Sequence, residues 1–270
     1  MRGPHNILRL IRTGATLERT GAMPVILNAL DAPKTIKFAA RFIVWPFQFL
    51  GRKGDKSLLP APRALTAMGP AYIKFGQILS TRPDVVGPEL AEQLRVLQDR
   101  LPPFSTSVAK QSFKLETGLD ADDVFSHFSE PVAAASIAQV HRGQLRESGH
   151  SVAIKVLRPE IERAFQRDID TFYFAARLLE FVSAKSRRLK PIDVITHFDG
   201  VVQGELDLRL ESASASEFLA NIRNDKGFSV PSINWSLSSR RVMTLDWADG
   251  LPMGDTCLLY TSPSPRDNKA

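Results

Sequence analysis

The chain has 270 residues, 43% of them hydrophobic and 24% charged, the balance of a core-forming protein rather than a disordered or fibrous one. A formal charge of +6 admits an anionic partner, but the excess is spread out. No compact Lys/Arg block is interleaved with aromatics, so nucleic acid is not expected. The single cysteine, Cys257, excludes a disulfide framework and a thiolate metal site, and the five histidines lack metal-ligand spacing.

The N-terminal stretch to Met23 is basic, with Glu18 as its one acid, and lacks the apolar core of a secretory signal; it reads as an amphipathic helix. Residues 38–50, FAARFIVWPFQFL, are strongly apolar but too short to span a bilayer, which takes roughly 18–20 residues. They are expected to pack on the core or to lie on a membrane surface. Residues 33–117 read as consecutive helices broken at Gly69-Pro70, reopened at Pro88, stopped at Pro102-Pro103 and capped again by Ser105. From about residue 124 the texture turns strand-like: VFSHF, AQVHRGQLR and SVAIKVLR, with a turn at 147–150 between the last two. Apolar residues at 161, 165, 169, 172, 176 and 179 predict a long helix after Pro159, and a second is expected from about Pro191 to Ile222. FSVPSINW and RRVMTLDWADG read as two further strands. The last residues, with a Ser/Pro cluster and no periodicity, resemble a non-native tail.

Chemistry is concentrated in an ordered set of motifs. Residues 133–140 fit the template G-x-G-x-x-G-x-V with alanine at every glycine position and Val140 in place. VAIK follows, ending at Lys155. In a protein-kinase-like small lobe a lysine so placed contacts the α/β-phosphates and is held by a helix glutamate, here Glu211 in ELDLRLESAS. Asp207 and Glu211 stand four apart and are expected to share a helix face, and Glu205 stands four before Arg209 as a candidate surface ion pair. Glycine permits positive φ and close approach to phosphate, whereas alanine restricts both, so this loop is expected to cover a nucleotide in an altered conformation.

These residues resemble the UbiB family of atypical protein-kinase-like proteins, which support ubiquinone biosynthesis. KFGQ, Lys74 to Gln77, matches the family's K-x-G-Q element; AAASIAQVH its Ala-rich loop; VAIK its lysine; and ELD, Glu205 to Asp207, its E-x-D element. The resemblance covers about residues 60–255. It implies an α+β fold, a kinase-like small lobe preceded by a helical extension, with the large lobe absent. The expected divisions are 1–117 for the extension, 118–255 for the lobe to its hinge and 256–270 for the tail.

The resemblance further implies ATP or ADP with Mg²⁺ as cofactor. The nucleotide is expected at Val132, Ala133, Ala134, Ala135, Ser136, Ile137, Ala138, Gln139, Val140, Lys155 and Glu211, with Asp246 and Ala248 of the hinge beside adenine. Lys74, Gln77, Glu205 and Asp207 are regulatory, the K-x-G-Q helix lying across the place of a protein substrate. No catalytic Asp, Asn or D-F-G element follows TLDWADG, so the chain is expected to be inactive by itself and to bind nucleotide weakly or not detectably. Implied partners are an adenine nucleotide, ubiquinone precursors or their biosynthetic enzymes, and a membrane lipid surface. The implied location is the cytoplasmic face of a bacterial inner membrane, because too little chain precedes Lys74 for an organellar leader. The rival class is a non-catalytic, nucleotide-gated scaffold or lipid chaperone for quinone precursors.

Overall fold

The structure is a computed structural model that describes residues 5–29, 32–98, 102–182, 187, 190–225 and 227–250. It is an α+β arrangement, a helical N-terminal region followed by one four-stranded antiparallel sheet with helices on its flank, as the sequence pattern implies. The tail at 256–270 lies outside the described residues.

The helical region comprises α1 (His5–Thr20), α2 (Ala22–Ala29), α3 (Lys34–Val44), a 3-10 helix at Trp45–Leu50, α4 (Pro60–Met68), α5 (Pro70–Ser80), α6 (Pro83–Val86), α7 (Pro88–Leu94) and a 3-10 turn at Arg95–Gln98. Four of the α-helices, α4 to α7, carry proline in the first turn, where the missing N–H costs nothing and φ is already helical. Gly69 at φ +125° separates α4 from α5 and lets Pro70 open the second helix. Leu65, Tyr72, Ile73, Val86, Leu90, Leu94 and Leu97 form the core of this region.

Next come α8 (Thr106–Thr117) and α9 (Ala121–Val124), then β1 (Phe125–Ala134), β2 (Ala138–Leu145) and β3 (Ser151–Leu157). Ser105 stands at the N-cap of α8 as expected, but its hydroxyl meets Ser107 Oγ instead of a helix N–H. The strands pair in chain order, β4 (Val242–Asp246) closing the sheet beside β3. Pro131 sits in the edge strand β1, where a missing donor is tolerated, and the register shifts on either side of it. Phe113, Phe125, Ile154, Val156 and Val242 pack beneath one face of the sheet.

After β3 the chain enters α10 (Ile161–Val182), whose predicted stripe buries Ile161, Phe165, Ile169 and Ala176; Leu179 at its end is exposed. Two sequence expectations are corrected here. The second long helix is two, α11 (Pro191–Glu205) and α12 (Leu208–Asn221), because Asp207 leaves helical geometry and its carboxylate accepts the Arg209 N–H as an N-cap. Buried Leu206 and Leu208 flank the break, and the Leu208 N–H donates to Arg240 O. FSVPSINW forms no strand: it meets β4 through the Ile233–Leu245 bridge, neighbouring backbone bonds and the Ser232 N–H donated to Asp246 Oδ2, Pro231 having no N–H to offer a ladder.

Candidate functional site

Four separated motifs converge on one cavity of about 570 Å³. Its wall includes Lys74 and Gln77 from α5, the Ala135–Ala138 turn, Lys155 from β3, Glu205 at the end of α11 and Glu211 from α12. Gly204, Leu210 and Ser214 also line it, and no sequence signal had set these three apart.

Lys155 lies mid-strand, flanked by Val140 on β2 and Met243 on β4. Its ammonium donates to both carboxylate oxygens of Glu211 at 2.7 Å. The α11–α12 break produces this pairing: it starts α12 afresh at Leu208, so that Glu211 in its first turn faces the sheet. A second lysine–glutamate pair lies across the cavity. Lys74 Nζ stands 2.5 Å from Glu205 Oε1, both side chains partly buried. Gln77 donates from Nε2 to Leu97 O at 2.8 Å, fastening α5 to the turn at Arg95–Gln98.

The E-x-D element is split. Glu205 enters the cavity, whereas Asp207 faces Arg209, whose guanidinium hydrogen bond holds that carboxyl below the usual carboxylate range. Asp207 and Glu211 therefore do not act as one face, and the expected Glu205–Arg209 pair is replaced by Lys74–Glu205 and Arg209–Asp207.

The Ala-rich segment is a hairpin, with Ala133 opposite Val140 and Ala134 opposite Gln139, and the Ala135 N–H donating to Ala138 O at 2.8 Å. None of its residues has positive φ. Arg158, beyond the end of β3, clamps the turn: Nε and Nη2 donate to Ala135 O at 3.2 and 3.1 Å, and Nη1 donates to Pro102 O at 3.0 Å. Sequence reasoning missed Arg158, which reads as an ordinary surface arginine before Pro159.

The remaining nucleotide candidates divide between the cavity wall and other places. Val132, Ala133 and Ala134 belong to β1, and Ile137 and Ala138, besides facing the cavity, contribute to the core. Gln139, 0% exposed, is an interior strut: its Nε2 donates to Phe104 O and to His141 Nε2, and its Oε1 accepts the Phe104 N–H. Asp246 and Ala248 are not among the cavity's lining residues; Asp246 Oδ1 meets His150 Nε2 at 3.0 Å at the far end of β3 and β4.

Both carboxylates at the cavity are committed to lysines, and no group of three or more metal-ligating side chains occurs among the described residues. These residues do not by themselves fit a Mg²⁺ ion. They do fit an anionic ligand, with two ammonium groups facing one hollow.

Comparison with known proteins gives one family. Residues 96–266 match the model described as ABC1 atypical kinase-like domain. Proteins named "Probable protein kinase UbiB" are 38% identical over 231 residues in Marinobacter nauticus, 40% over 193 in Aliivibrio fischeri and 39% over 193 in Pseudomonas paraeruginosa. These alignments cover 85%, 71% and 71% of this chain but only 41%, 36% and 36% of the relatives, so the chain spans about two fifths of their length. A solved complex of Rv3197 with erythromycin from Mycobacterium tuberculosis is 28% identical, with a TM-score of 0.48, over 68% of this chain and 46% of that one.

Proposed function

We propose that this chain, which belongs to the ABC1 atypical kinase-like family, binds the phosphates of an adenine nucleotide in the cavity between Lys155 and Lys74. We further propose that it is part of a UbiB-type ATPase or small-molecule or protein kinase supporting ubiquinone biosynthesis at the cytoplasmic face of a bacterial inner membrane. The convergence of Lys155–Glu211, Lys74–Glu205 and the Ala-rich turn on one hollow carries the reading. Glu211 holds Lys155 extended toward the cavity, as phosphate contact requires. Arg158 and the Ala135–Ala138 bond fix the lid in a closed hairpin, using backbone groups that a Gly-rich loop would turn toward phosphate.

The rival reading is a non-catalytic, nucleotide-gated scaffold for quinone precursors or their enzymes; the Lys155–Glu211 pair orients phosphates in either case and is not the base of phosphoryl transfer. The nucleotide supplies the transferable phosphoryl group when bound; these residues hold and orient it.

Saturation-transfer NMR with millimolar ATP and Mg²⁺ tests the site. Weak, saturable binding by the parent and its loss in Lys155→Ala are expected. Equal signals from the two proteins, or none from either, contradict the assignment.

A further inference from the structure

We infer that residues 34–50 form a membrane-docking ridge that lies in the plane of an anionic phospholipid surface. Phe38, Phe42, Trp45 and Phe49 follow one another at spacings of four, three and four, the stripe that elsewhere in this chain is buried. Here it faces outward: the four residues are 74, 69, 69 and 73% exposed, with Ile43 exposed alongside.

The opposite side of the segment is fastened to the protein. Lys37 donates to Asn28 Oδ1 and Arg41 Nε donates to Glu18 Oε1. Val44 sits against Gly14, where a Cβ would lie 3.0 Å from its methyl group. Arg19 Nη1 donates to Gly51 O at 2.8 Å, and Gly51 approaches the α1 backbone so closely that a Cβ would lie 2.4 Å from Ala15 O. The aromatic side is thus presented on a fixed element.

Charge selects the occupant. Residues 1–56 hold ten Lys and Arg against three Asp and Glu, a surplus of seven in a chain whose total is +6, so the excess that looked dispersed belongs to this region. Exposed Lys34 and Lys53 flank the two ends of the ridge. Beyond Phe49, Arg52 joins Arg9, Arg12 and Arg167 around a hollow of about 380 Å³, where Asp168 is the one lining acid among the described residues. Trp and Phe at headgroup depth, with cations beside them, suit the boundary of an anionic bilayer. With 11 residues in α3, and no described helix long and apolar enough to cross a membrane, the element lies along the surface. The inference extends the membrane placement proposed above and is independent of the nucleotide site.

Co-sedimentation of the chain with phosphatidylcholine vesicles, with and without about 30 mol% phosphatidylglycerol, tests it. Binding is expected with the anionic vesicles, falling at least about tenfold in Phe42→Asp/Trp45→Asp at unchanged melting temperature. Lys34→Glu/Lys53→Glu is expected to reduce the anionic preference alone. Absent vesicle binding, or binding that the ridge variant leaves intact, overturns the inference. So does ridge-dependent self-association without vesicle binding, which assigns the face to a second copy. The same variants should keep the parent's nucleotide signal, so failure in one assay leaves the other reading standing.

Discussion

Ala135 commits both of its backbone groups within the protein, its N–H to Ala138 and its carbonyl to Arg158. A glycine there frees φ while removing one methyl group. If the turn is a nucleotide lid, Ala135→Gly changes the affinity or the ATP/ADP preference in competition binding. If the alanines serve packing only, it lowers stability by about 0.5–1 kcal/mol and leaves binding unaltered. Six residues along, His141 is fully buried, its Nδ1 directed at Ser129 O and its Nε2 at the Gln139 amide. Burial pulls its imidazole below the ordinary value of 6.5. The unfolded chain therefore takes up a proton, as pH falls through about 6.5, that the folded chain refuses. This contribution to stability is present above that window and lost below it. Melting temperature should fall between about pH 7 and pH 5, and His141→Gln should be less stable at pH 8 yet show a shallower fall. A parallel pH profile in the variant contradicts the assignment.

Among the elements, α5 shows why its motif contains glycine. A Cβ at Gly76 would lie 2.5 Å from Leu97 Cδ1 and 2.6 Å from Leu65 Cδ1, so the helix packs against its neighbours at that point without room for a methyl group. Gly76→Ala is expected to destabilise by about 1–3 kcal/mol in denaturant unfolding, the cost of overpacking exceeding the gain in helix propensity. Across the cavity, a double-mutant cycle on Lys74→Met and Glu205→Gln should give a coupling of about 0.5–1 kcal/mol. Additive effects contradict a pair that ties α5 to α11.

Much of this was legible in the sequence, because apolar alternation, prolines at helix starts and the spacing of Lys155 act locally. The break between α11 and α12 was not. Its helical spacing runs on without interruption, and the cap formed by Asp207 depends on buried Leu206 and Leu208 and on the bond to Arg240 O. The pairing of Glu205 with Lys74 was illegible for a related reason: local spacing offers Arg209, while tertiary packing brings α5 instead. Gln139 reads as a nucleotide contact and Gln77 as a regulatory residue; spacing alone could not show that their amides meet the Phe104 and Leu97 backbone.

At the scale of the whole molecule, the sheet supplies a lysine, the two C-terminal helices supply its carboxylate partner and a second acid, and the N-terminal helical region supplies the opposing lysine. The role proposed for this composite hollow is to receive nucleotide phosphates. An ATP analogue carrying an acyl group on its terminal phosphate transfers that group to whichever lysine lies beside the phosphates, and peptide mass spectrometry locates it. Acylation of Lys155, with Lys74 second, is expected, suppressed by excess ATP. Labelling confined to exposed lysines such as Lys34 and Lys53, or labelling of Lys155 that ATP does not suppress, would contradict it.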